Sequence, residues 1–162
     1  MQQLIKTLID QFEEVHHGYG WIGVNFDKKI NDLSPDEFFH QAQGMHSIAE
    51  IISHLTVWRK EAILKIKTGQ GSMTDDNPSN WKSNKELQRL GKDTILLKHN
   101  ESLSKLIALL KLKNDTFLKE TYFDTDFKGN YPYTFLIHGM LHHDLYHLGQ
   151  IGLLIKCKQS NS

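Results

Sequence analysis

Residues 136–155 read LIHGMLHHDLYHLGQIGLLI and hold four of the chain's ten histidines. An α-helix turns about 100° per residue, so positions i and i+4 lie about 40° apart on one face. With His143 at zero, His147 falls at about 40°, Leu136 and Leu154 at about 20°, Met140 at about 60° and Ile151 at about 80°. The two histidines therefore sit inside the apolar stripe that should face a core. Gln150, at about −20°, shares that face, whereas His142 and His138 lie about 100° and 140° away, towards flank or solvent. The His-x-x-x-His spacing lets two imidazoles meet one metal ion.

Burying two neutral imidazoles requires a partner for each polar nitrogen. A shared ion satisfies one nitrogen on each ring and a nearby acceptor the other; two hydrogen-bonded core histidines are the simpler alternative. A third ligand must come from another helix. His54 is the candidate, as the other histidine near an apolar helical face. Three neutral imidazoles favour zinc, nickel, copper or iron over calcium or magnesium. Three protein ligands also leave a position open, as catalytic sites do, whereas structural zinc is normally closed by four.

Around this segment the chain reads as helices. Leu4, Ile5, Leu8, Ile9, Phe12 and Val15 place an amphipathic helix over residues 2–15. Gly18 and Gly20 interrupt it, and Ile22, Phe26 and Ile30 predict that it resumes after a kink. His16 and His17 at the break read as a solvated helix end, with an additional metal site as the minor alternative. Ser34-Pro35-Asp36-Glu37 is a helix start leading into a turn through Phe38, Phe39 and His40, and residues 41–45 read as loop. Ser47 and Glu50 form a capping box for a second long helix that ends near Thr68 before Gly69. Its apolar face is Ile48, Ile51, Leu55, Trp58, Ala62 and Ile66, with His54 at the edge. Glu50 and Glu61 fall about 40° and 20° from His54, so each is a candidate acceptor for a ligand histidine or a candidate general base, with a surface acid as the default. Residues 71–83 are polar and turn-rich, long enough for a lid, and Trp81 is their candidate anchor. A third helix is predicted over residues 85–113, with His99 facing solvent among Lys98, Asn100 and Glu101. Residues 114–130 break the pattern, and Pro132 suits the first turn of the last helix, which runs to about Lys158. Four long helices predict an all-α four-helix bundle in one domain, residues 1–162.

Composition bounds the function. The 162 residues carry 19 basic and 19 acidic side chains, a formal net charge of zero. That argues against a nucleic-acid binder with a broad basic face and leaves self-association open. The single Cys157 fits a reducing compartment. No run approaches the roughly 20 apolar residues of a membrane span, and the N-terminus is unlike a signal peptide; a cytoplasmic protein is the expectation. No Ser-His-Asp pattern, phosphate-cradling glycine loop, reactive cysteine near a histidine or useful carboxylate pair stands out.

The segment His143-Asp-Leu-Tyr-His147-Leu-Gly-Gln150-Ile resembles the closing motif of the DinB-like (DinB/YfiT) proteins. Ser47-Ile-Ala-Glu-Ile-Ile-Ser-His54-Leu followed by Trp58 is similar to that family's second-helix motif, and the leading helix with Trp21 and the residue 33–37 turn fit the same order. The resemblance covers nearly the whole chain. It implies up-down-down-up connections with a long crossing, for which residues 71–83 suffice. It also implies His54, His143 and His147 as a metal triad, nickel or zinc as the ion, and a homodimer. Related members include S-transferases that use bacillithiol or mycothiol, maleylpyruvate isomerases, and proteins described as metal-dependent hydrolases. The expected activity is activation of water or a low-molecular-weight thiol. The alternatives are a non-catalytic, metal-stabilised dimeric binding protein, or a plain helical domain with core histidines.

Overall fold

Three Ser-x-x-Glu capping boxes mark helix starts in the computed structural model, which describes residues 3–42 and 44–160. Ser34 and Glu37 open α3 (Pro35–Phe38), Ser47 and Glu50 open α4 (Ile48–Thr68), and Ser83 and Glu86 open α5 (Asn84–Leu90). In each, the serine oxygen accepts the third backbone N–H while the glutamate reaches back to the serine N–H. The remaining elements are α1 (Gln3–His16), α2 (Phe26–Ile30), α6 (Lys92–Lys111), a 3₁₀ turn (Phe117–Lys119), strands β1 (Thr121–Asp124) and β2 (Gly129–Pro132), and α7 (Tyr133–Ser160). The expected helix start at Gln2 and the loop position Gln43 lie outside the described residues.

Contacts at the helix ends establish the connections. The backbone N–H groups of Gln3 and Ile5 donate to the Asp115 carboxylate at 3.0 and 3.1 Å, so α1 begins where α6 has ended. Thr134 Oγ1 donates to the Leu118 carbonyl at 2.7 Å and Tyr133 Oη to that of Lys65 at 2.9 Å, so α7 starts where both α6 and α4 end. Thus α1 and α7 run one way and α4 and α6 the other: a four-helix bundle with up-down-down-up connections. Because α4 and α6 are parallel, residues 69–83 must travel back along the bundle, about 30 Å for the 21 residues of α4. Gly69 turns the chain at φ 75°, and Ser47 Oγ meets Asn84 Oδ1 at 2.9 Å at the far end.

Two apolar clusters fill the bundle. One centres on Phe12, Leu106, Leu110 and Ile137, and the other on Phe26, Ile52, Leu55 and Ile151. Fully burying each such side chain stabilises the fold by about 1.5–3 kcal/mol. Among the described residues no helix is long and apolar enough to cross a membrane.

Four local expectations are corrected. The first helix does not resume at Trp21, which is fully exposed. Instead Asn25 takes the Lys28 N–H at 2.8 Å and donates to the Gly18 carbonyl at 2.7 Å, starting the separate, short α2. The third helix is two helices, broken at Gly91, whose φ of 80° and ψ of 150° no helix accommodates. The break resets the helical phase: Leu97 is exposed, while Ile95, His99, Leu103 and Ile107 form the buried face. His99 is therefore a core residue and not a solvent-facing one. Pro132 ends β2 rather than entering α7, at a sheet edge where its missing N–H costs no ladder bond.

Candidate metal centre

His54 stands in the second turn of α4, and His143 and His147 stand one turn apart on the antiparallel α7. The topology brings together the three residues singled out from the sequence. His54 Nε2 lies 2.9 Å from His143 Nε2, and His147 Nε2 lies 3.0 Å from it. These ligand atoms form the one group of three among the described residues able to hold an ion, all within 4.8 Å of one another. His54 and His147 are buried and His143 is half-buried.

The outer nitrogens decide which atoms carry hydrogen. His54 Nδ1 donates to the Asn80 carbonyl at 3.3 Å, and His147 Nδ1 donates to Gln150 Oε1 at 2.6 Å. Both acceptors are carbonyl oxygens, so in the neutral rings each Nε2 is a bare lone pair. Both lone pairs face His143 Nε2, whose single proton can serve only one. A cation at the common point satisfies all three, so the donor set fits a transition-metal ion.

The crossing segment completes one wall. Trp81 stacks on His54 with centroids 3.9 Å apart and planes 8° from parallel, and also stacks on His46 at 3.8 Å. Asn80 takes the Trp58 Nε1–H at 2.8 Å and donates to the Asp75 carbonyl at 2.8 Å, tying this segment to α4. A cleft of about 290 Å³ opens beside His54 and His143, lined further by Trp58, Lys65, Tyr122 and Met140. Larger grooves of about 500 and 700 Å³ run along α1 and α6, away from the triad.

Residues 24–151 match the DinB superfamily. The chain belongs to that superfamily. YfiT from Bacillus subtilis, described as a probable metal-dependent hydrolase with an unusual four-helix bundle topology, has a TM-score of 0.70 at 13% identity, over 98% of this chain and 90% of that one. A mycothiol-dependent maleylpyruvate isomerase has a TM-score of 0.61 at 12% identity, over 93% of this chain. The chain spans only 58% of that isomerase's length. At such identities the likeness is one of fold. No curated protein matches the sequence.

Electrostatics keep the triad of this DinB-superfamily protein neutral. Burial, and then the neighbouring imidazoles, push His54 down to about 3. Burial, and then His147, push His143 down to about 4, and burial also lowers His147. Neutral rings are the form that donates to metal. His16 and His99 are lowered as well, chiefly by burial. An unfolded histidine titrates near 6.5. Below that pH the unfolded chain binds more protons than the folded one, so the metal-free protein should hold constant stability above about pH 6.5 and lose it as pH falls to 4.5. The fully buried His16 and His99 should contribute up to about 1.4 kcal/mol per pH unit each. Urea midpoints measured from pH 7.5 to 4.5 check this, and a flat profile would contradict it.

The other residues named from the sequence separate cleanly. Gln150 positions His147 directly. The Glu50 carboxylate takes the Ser47 N–H at 2.7 Å and Gln41 Nε2 at 3.2 Å, at the helix start. Glu61 takes the Ser72 and Met73 N–H groups at 2.6 and 3.1 Å, holding the start of the crossing. Among the described residues neither carboxylate hydrogen-bonds a triad histidine. His16 is not a solvated end but fully buried, whereas the exposed His17 pairs with Asp27 at 2.7 Å.

Sequence reasoning missed Arg59, Asp144 and Asn80. Arg59 Nη2 donates to both oxygens of Asp144 at 2.9 and 3.0 Å, and His16 Nε2 lies 2.9 Å from Asp144 Oδ2. Burial would raise the Asp144 pKa, but Arg59 and His16 hold it well below the usual carboxylate range. A signal existed: Asp144 is flanked at −3, −7, +4 and +7 by Leu141, Ile137, Leu148 and Ile151, all buried. Nothing comparable marks Asn80, because its role depends on where the crossing lies.

Proposed function

We propose that this protein is a metal-dependent enzyme that activates water or a low-molecular-weight thiol at His54, His143 and His147, as an S-transferase or a hydrolase. The observation that supports it most is the convergence of three Nε2 atoms with fewer protons than lone pairs, the outer nitrogens of His54 and His147 already being committed. A zinc or nickel ion held there would supply Lewis acidity, lowering the pKa of a water or thiol. The protein's own contributions are distinct. Asn80 and Gln150 set the imidazole orientation, Trp81 shields one face of His54, and the cleft along Trp58 and Met140 offers an apolar bed beside the triad. Three protein nitrogens leave a coordination position for a small ligand, which favours catalysis over a closed structural site.

Metal analysis by mass spectrometry of untagged protein tests this first. About one zinc or nickel per chain is expected, and none in His54→Ala or His147→Ala. Thiol and electrophile pairs, bacillithiol or a surrogate among the thiols, should then yield an adduct that the His147→Ala variant does not form. Metal binding without thiol transfer or hydrolysis would favour the second reading: a non-catalytic ion pinning α4 to α7 in a dimeric binding protein. That reading draws on the triad bridging these two helices. A homodimer in the cytoplasm belongs to either reading, supported by zero net charge and the exposed side chains of Trp21, Ile22 and Leu153.

A further inference from the structure

Each of the four long helices contributes one charged or imidazole side chain to a single layer in the middle of the bundle. His16 comes from α1, Arg59 from α4, His99 from α6 and Asp144 from α7, and all four are 0% exposed. The layer divides the two apolar clusters. On α4, Leu55 belongs to one cluster and Ala62 to the other, with Arg59 between them. Ile95 and Leu103 flank His99 in the same way, and Leu148 and Leu141 flank Asp144.

Stability does not account for this layer. A buried ion pair seldom stabilises more than well-packed apolar side chains in its place. Here three buried atoms, His16 Nδ1, Arg59 Nε and His99 Nε2, also make no hydrogen bond to described protein atoms. What such a pair does supply is geometry. The guanidinium is planar and held on both sides: Nη2 grips both Asp144 oxygens, while Nη1 donates to Ser102 Oγ at 3.2 Å and the His99 carbonyl at 3.4 Å.

Its placement relative to the triad matters. Asp144 follows His143 directly on α7. Arg59 lies five residues past His54 on α4, about 140° around that helix. Each ligand-bearing helix is thus gripped near its histidines but on a different face. Leucine and isoleucine contacts tolerate small slides, whereas donors to a metal must be placed to within about 0.5 Å. A shift of one residue along either helix moves a ligand by about 1.5 Å.

We propose that Arg59 and Asp144 are positioning residues whose buried ion pair sets the register of α4 against α7 and thereby the affinity of the three-histidine site for its ion. The proposal rests on the metal reading above. It assigns no contact with substrate or ion to either residue.

The test measures zinc affinity by competition with a chromophoric chelator, beside thermal unfolding, in four proteins. Wild type sets the reference. Arg59→Lys keeps the charge but has a single nitrogen, so it cannot hold Asp144 on one side and Ser102 and the His99 carbonyl on the other. Arg59→Met with Asp144→Leu replaces the pair by apolar volume, a change that leaves many proteins folded and stable. Leu106→Ala, in the cluster near the start of α7, supplies an equivalent loss of stability without touching the pair. Both Arg59 variants are expected to bind zinc about 10- to 100-fold more weakly, the range seen when support around a metal ligand is lost, while Leu106→Ala binds as wild type does. Wild-type affinity in folded Arg59→Lys would overturn the proposal, as would zinc affinity that merely follows the unfolding temperature across all the variants. If the double variant does not fold, Arg59→Lys and Leu106→Ala decide the question between them. Absence of zinc binding by wild type is a separate result: it removes the metal reading, and the proposal with it.

Discussion

Asp144→Ala is expected to cost about 3–5 kcal/mol of unfolding free energy, because it leaves the Arg59 guanidinium fully buried without a counter-charge. Domains of ordinary stability have about 5–15 kcal/mol in total, so this single change should leave the chain marginal. His16 loses its acceptor in the same step, and the two apolar clusters lose the polar layer that joins them. Urea denaturation monitored by circular dichroism gives the value. Glu101→Ala is the useful comparison. It removes the exposed pair with Lys105, 3.4 Å apart, and should change stability by no more than about 0.5 kcal/mol. A loss below about 1 kcal/mol at Asp144 would mean that Arg59 finds another partner or reaches water.

Saturation with zinc is expected to raise the unfolding temperature by about 5–10 °C. An ion present at about 100 times its dissociation constant stabilises the folded state by about 2.7 kcal/mol, and proteins of this size gain about 2–4 °C per kcal/mol. A chelator should reverse the rise. His54→Ala should abolish it, because α7 alone then offers two ligands. His138→Ala should not, because His138 lies on the exposed side of α7. If zinc, nickel, copper and iron all fail to shift the transition, the three imidazoles are core residues and the enzymatic proposal has no basis.

How much of this was legible in the sequence differs from helix to helix. The apolar periodicity of α4 and α7 and the capping box of α4 are local signals, and the structure reproduces both helices nearly to the residue. Two histidines one turn apart on a core-facing stripe are likewise a local pattern. The third helix was misread because one glycine resets the phase, and the exposed flanks of His99 masked its neighbours four residues away, Ile95 and Leu103. Asp144 was set aside because it points to a different side of the helical wheel from the two histidines. Its burial is intelligible only once Arg59, from another helix, supplies the opposite charge.

The sequence by itself determined that the chain folds as long helices, where α4 starts, and which face of the last helix carries two imidazoles at ligand spacing. Those properties follow from backbone capping and from a 3.6-residue period, and neither needs a distant partner. Only the tertiary structure decided the rest. The up-down-down-up path places His54 against His143 and lays Asn80 and Trp81 over it, because two parallel neighbours force the chain to return along the bundle. It also collects His16, Arg59, His99 and Asp144 into one buried layer. A polar side chain can enter a core only where other helices bring its partners, and that information is spread over 128 residues of chain, from His16 to Asp144.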